Sequence, residues 1–317
     1  ENEEFLAAMA DCYRSGERNT KAISFYNKLI DKNPYNPSYW TGLAKCHFSQ
    51  QEFDKAVEAC DFALAADDKF GEAHIIRAHS LFHLENETEA IQEYQLALQS
   101  KSLPPDFAHM FIGLAYANQE KWELAYRSYE QAMEIIGDDN SPILSDIYSN
   151  EIFCLSKLGR YEEAHQLCEK AKKQLPESVE IYLQEGRLYL EEDKFEEAKQ
   201  CWAVALQYAP EAETLVQIGN YSLDYGMVEN ARLCFEEAKK QDPDYPGING
   251  RLASICMILR DHKGFQKYNQ MSETPLNIEM IQEMLSQNTD KDILQNLETF
   301  MNELDDVNDG ETEEENN

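Results

Sequence analysis

His79 and His83 stand four residues apart, a spacing that puts both imidazoles on one face of a helix and makes them the best metal-ligand pair in the chain. His74 and His109 fall near them in register. A zinc centre needs a third converging ligand, and no nearby Cys or acid supplies one. The histidines are therefore read as polar groups of a groove, and no metal is expected. The eight cysteines include no C-x-x-C pair. Cys12, Cys46, Cys154 and Cys256 fall in the middle of one kind of helix, and Cys60, Cys168, Cys201 and Cys234 fall in another. That placement suits a small apolar packing residue. Free buried thiols predict a reducing compartment, the cytoplasm. The sequence contains no Gly-rich phosphate loop, G-x-S-x-G elbow, H-E-x-x-H pair or dinucleotide fingerprint. No catalytic or cofactor-binding residue is predicted.

The elements that would position these groups follow from one internal period. Ala22, Ala56, Ala90, Ala125, Ala164, Ala198 and Ala231 recur at steps of 34, 34, 35, 39, 34 and 33 residues. Four residues after each stands a larger group: Tyr26, Cys60, Tyr94, Tyr129, Cys168, Trp202 and Phe235. Three further on come Leu29, Ala63, Ala97, Ala132, Ala171, Ala205 and Ala238. Spacings of four and three define one face of a helix whose small residues admit a close neighbour. Twelve residues before each alanine a second helix carries Ala10, Ala44, Ala78, Gly113, Ile152, Gly186 and Gly219. Polar turns such as Ser49-Gln50-Gln51-Glu52 and Gly159-Arg160 separate the two helices. Pro34, Pro176, Pro210 and Pro243 punctuate the ends of units, because proline cannot donate within a helix. The extra residues near 137–142 lengthen one connection.

Composition bounds the function. The 317 residues are 43% hydrophobic, with only 13 Gly and 10 Pro, which suits long helices and a sizeable core. The net charge of −32 excludes the basic surface that nucleic acid requires and is repelled by anionic membranes. No apolar run is long enough to insert into a membrane.

Trp40-x-x-Leu43-Ala44-x-x-His47 followed by Ala56, Cys60 and Ala63 resembles the tetratricopeptide repeat. Tyr182-x-x-Glu185-Gly186-x-x-Tyr189 with Ala198, Trp202, Ala205 and Pro210 matches that motif better still. The resemblance implies an all-α, right-handed superhelical solenoid of helix-turn-helix repeats over 1–274. The seven clear copies are expected at about 3–36, 37–70, 71–105, 106–144, 145–178, 179–211 and 212–245, with a degenerate eighth at 246–274. In that eighth copy Phe265 and Asn269 replace the alanine and the aromatic. One or two amphipathic capping helices are expected over 275–304, with self-association as a second reading, and a disordered acidic tail over 305–317.

The resemblance further implies that the first helix of each repeat lines a concave face. Ile75, Ile76, His79, Phe82, Phe107, Met110, Phe111 and Leu114 are the candidate groove residues there, and Gln184, Arg187, Gln217, Asn220 and Asp224 make it polar further along. Some relatives clamp the acidic tails of heat-shock chaperones with Lys, Asn and Arg. At those positions this chain has Ala7, Asp11, Gly42, Glu72 and Ile76, none of which supplies the clamp. The expectation is a non-enzymatic scaffold for a protein or peptide partner. The alternatives are the substrate-docking repeats of a larger enzyme, kept open by a first residue that is Glu1 rather than Met, and a chaperone for a basic protein.

Overall fold

The computed structural model describes residues 2–137, 141–277 and 280. Among them every regular element is an α-helix, and the helices pack in consecutive pairs. The first body, Glu1–Pro176, holds five pairs. These are α1 (Glu3–Ser15) with α2 (Asn19–Lys32), α3 (Pro37–Ser49) with α4 (Phe53–Ala66), and α5 (Gly71–His83) with α6 (Glu87–Gln99). After them come α7 (Pro105–Asn118) with α8 (Trp122–Ile136), and α9 (Leu144–Lys157) with α10 (Tyr161–Gln174). The second body, Glu177–Asn317, holds three. They are α11 (Val179–Glu191) with α12 (Phe195–Tyr208), α13 (Ala212–Asp224) with α14 (Val228–Gln241), and α15 (Ile248–Ile258) with α16 (His262–Gln270).

Local chemistry starts and stops these helices. The Asn2 side chain accepts from the Glu4 amide at 3.1 Å, and Asn36 accepts from Ser38 at 3.0 Å just ahead of Pro37. The turn inside every pair is built alike. Five residues before each repeat alanine the backbone enters the left-handed region, at Glu17, Gln51, Glu85, Glu120, Gly159, Asp193 and Gly226. The residue after it donates its amide back to the first helix, as Glu52 does to His47 at 3.0 Å and Arg160 to Leu155 at 2.9 Å. Only two of these seven positions are glycine, although an L side chain is strained there.

The alanine, the larger group four residues on and the small group after it are buried in all seven copies. Their partners on the first helix are small because the contact is close. A Cβ on Gly113 would lie 2.6 Å from the Tyr129 ring, and one on Gly186 would lie 2.2 Å from Trp202. In the eighth pair Phe265 fills the core in place of alanine. Asn269 instead ties down the chain that follows, accepting from the Leu276 amide at 2.7 Å and donating to its carbonyl at 3.1 Å. The expected capping stretch beyond residue 277, residue 280 apart, and the whole acidic tail lie outside the described residues.

The two rows of helices pack differently. Within the first body α1 touches α3, α3 touches α5, and α7 touches α9, and in the second α11 touches α13. The second helices of neighbouring pairs make no comparable contact among the described residues. The first helices are therefore on the tighter side of these pairs, while α5 and α7 make no comparable backbone approach among the described residues. No helix among the described residues is long and apolar enough to cross a membrane.

Candidate peptide-binding face

Ile75 and Phe82 on α5 and Phe107 and Phe111 on α7 come together. All four are half-buried against one cluster that includes Ala78, Leu81, Tyr94, Ala108 and Ile112. Their spacing along each helix, seven residues on α5 and four on α7, keeps them on one side. Leu114, a turn beyond Phe111, is also half-buried. Two candidates separate from the patch. Met110 is only 6% exposed, so it belongs to the core rather than to a lining. Ile76 packs against the preceding cluster, which contains Cys46 and Cys60.

His79 joins the two helices. Its Nδ1 lies 2.8 Å from the Tyr94 hydroxyl, and its ring meets Phe111 edge-on at 4.8 Å between centroids. Burial, with a smaller contribution from His83, pushes its pKa down to about 4, so the imidazole is neutral at physiological pH. Phe111 also stacks on Tyr94 at 5.3 Å. His83 stacks on Phe53 at 4.5 Å, with Phe48 at 5.6 Å. Phe48 and Phe53 thus extend the patch, with buried Tyr94 behind it, although the sequence placed none of them there. Phe48 ends a first helix, and Phe53 and Tyr94 belong to second helices, so only the folded pairs bring their rings to this side. His79 and His83 are occupied by ring contacts, and among the described residues no group of His, Cys, Asp and Glu is arranged to hold a metal ion.

The start of the inner row is polar. A cavity of about 280 Å³ is lined by Ala7, Asp11, Arg14, Tyr26, Gly42, Lys45 and Glu72 among others. Its cations are already engaged, Arg14 with Asp11 at 3.4 Å and Lys45 with Glu72. Asp11 also accepts from the Tyr26 hydroxyl at 2.7 Å. In the second body the first helices carry polar groups that contact one another. Gln184 donates to the Tyr221 hydroxyl at 3.3 Å, Arg187 lies over the Tyr221 ring, and Asn220 accepts from Arg251 at 3.3 Å. Burial raises the Asp224 carboxyl there, and Arg187 partly offsets it.

Comparison with known proteins agrees with this architecture. Family models described as tetratricopeptide repeat match residues 108–143 and 155–217. A third, described as anaphase-promoting complex, cyclosome, subunit 3, matches residues 16–97. The chain is a tetratricopeptide-repeat protein. It is 23% identical over 250 residues to anaphase-promoting complex subunit 7 of Dictyostelium discoideum, covering 77% of this chain and 41% of that protein. It is 21% identical over 268 residues to the human DnaJ homolog subfamily C member 7, covering 78% of this chain and 54% of that protein. The chain thus spans about half the length of these relatives or less. A solved tetratricopeptide repeat protein from Parabacteroides merdae superposes with a TM-score of 0.63 at 19% identity. That match covers 79% of this chain and 97% of the other, and it shows the shared fold.

Proposed function

We propose that the first-helix side of α5 and α7 binds an extended peptide or a helix of a protein partner, and that the chain is a scaffold without catalytic chemistry. The observation that carries this reading is the single patch made by Ile75, Phe82, Phe107 and Phe111 on neighbouring first helices, half-buried rather than sealed. Contiguous apolar surface on an inner face is suited to a partner's side chains, and aromatic groups in such patches carry most of the affinity. A protein partner also fits the names of the relatives, one a subunit of a multi-protein complex. The net charge of −32 argues against nucleic acid. Five buried thiols, four of them pushed up to about 11 or 12 by burial, support a reducing, cytoplasmic setting.

The test is the affinity of a partner recovered with the full chain, compared across two truncations. Phe82→Ala on the patch is expected to weaken binding by about 1–3 kcal/mol. Leu124→Ala, on the exposed side of α8, is expected to change it by less than about 0.5 kcal/mol. Equal effects of the two would place the partner elsewhere.

A further inference from the structure

A cleft of about 380 Å³ opens on the opposite side of the first body, between the second helices α8 and α10 with α9 beneath. Tyr126, Glu130 and Met133 line it from α8, Leu167 and Lys170 from α10, and Glu151 from α9. Glu151 is only 4% exposed. No hydrogen bond or ion pair to a described residue holds its carboxylate. Its charged neighbours are Glu130, which repels it, and Lys170, which attracts it without pairing. Lys170 lies instead over the Tyr148 ring, at 5.8 Å from its centroid. A buried carboxyl group without a hydrogen-bond partner among the described residues is costly to keep, so its place at the wall of an open cleft calls for an explanation.

The same chain shows what this geometry accommodates. Glu151 stands one residue before Ile152, as Arg77 stands one residue before Ala78 two repeats earlier. Glu130 stands five residues after Ala125, as Asp61 stands five after Ala56. In the earlier repeat the Arg77 guanidinium sits between Asp61 at 2.8 Å and Glu93 at 2.7 Å, with Glu89 at 3.6 Å. At the later site Glu130 keeps the acid of Asp61, Leu167 stands where Glu93 stood, and the arginine position is itself an acid. The walls also suit such a group. Met133 and Leu167 offer apolar surface to an aliphatic stem, and the Tyr126 ring already carries one guanidinium, that of Arg160, at 5.0 Å from its centroid.

We propose that this cleft receives an arginine side chain of a partner polypeptide, its guanidinium donating to the Glu151 and Glu130 carboxylates. The site lies on the second-helix side and is separate from the apolar face, so it adds a second point of attachment with a different chemical requirement. Arginine fits better than a bare cation because its planar fork can serve two carboxylates while its stem covers the apolar walls.

The test titrates the full chain with an acetylated and amidated Gly-Ser-Gly-Arg-Gly-Ser-Gly peptide, and with the same peptide carrying neutral citrulline for arginine. The readout is the methyl resonances of Met133 and Leu167. Saturable shifts are expected with the arginine peptide, weakened about tenfold or more by citrulline or by Glu151→Gln. Glu58→Gln makes the same substitution at a distant exposed site and is expected to weaken binding less than about twofold. Lys170→Gln, which removes the competing internal cation, is expected to tighten it. Silent Met133 and Leu167 methyls would overturn the proposal, as would equal losses in Glu151→Gln and Glu58→Gln, which would mean attraction to the net charge alone.

Discussion

Replacing Glu151 with glutamine should change how stability depends on pH, and the direction follows from burial. Desolvation, helped by Glu130, raises this carboxyl from its ordinary 4.5 to about 8. Below 4.5 both folded and unfolded chains hold the proton, and the group costs nothing. Between 4.5 and about 8 the folded chain keeps the proton while the unfolded chain releases it, so stability falls as pH rises. Above that window both states are ionised and the whole cost is present. The gap, at roughly 1.4 kcal/mol per pH unit, sets an upper bound of about 5 kcal/mol. Water entering the cleft reduces it, and about 2–4 kcal/mol is expected. Glu151→Gln keeps the shape and cannot ionise. In urea titrations followed by circular dichroism, the variant should exceed the parent by that amount at a pH of about 8.5 and match it within about 1 kcal/mol at a pH of about 4.5. Parallel pH profiles, or a variant less stable than the parent at the alkaline end, would refute the burial argument.

Four further substitutions test the fold and the patch. Gln51→Gly should stabilise the chain by about 0.5–1 kcal/mol by relieving a left-handed backbone, whereas Gly159→Ala should cost about 1 kcal/mol, both read from denaturation midpoints. The Tyr129 hydroxyl is buried without a hydrogen-bond partner among the described residues. Tyr129→Phe should therefore be neutral or stabilising by about 1 kcal/mol, and a clear loss of stability would mean the hydroxyl is satisfied in solution. Phe111→Ala should cost about 2–4 kcal/mol of stability as well as binding, because the ring stacks on buried Tyr94.

The helical pairs were legible because small and large residues recur in fixed register, so each buried alanine could be located from spacing alone. The turn residues were legible as polar, but their left-handed backbone was not, since Glu17 or Glu85 carries no glycine signal. The face was legible in part. Ile75, Phe82, Phe107 and Phe111 pack against one cluster, and register along consecutive first helices is enough to group them. Met110 is buried, since it lies one residue from Phe111, and about 100° of helical rotation separates a half-buried position from a core one. Phe48 and Phe53 reach the patch from the end of a first helix and the start of a second, a convergence that periodicity cannot express. The Glu151 cleft depends on three helices at once and on the absence of the arginine that fills the corresponding place at Arg77. It became visible only when the two repeats could be laid over each other in space.

Hydrogen–deuterium exchange of the full chain with and without a bound partner tests the central claim most directly. The first-helix segments 71–83 and 105–118 should exchange more slowly in the complex, while the second helix 87–99 keeps the rates of the free chain. Protection confined to the second helices, with 71–83 and 105–118 unchanged, would contradict the assignment of the apolar first-helix patch as the binding face.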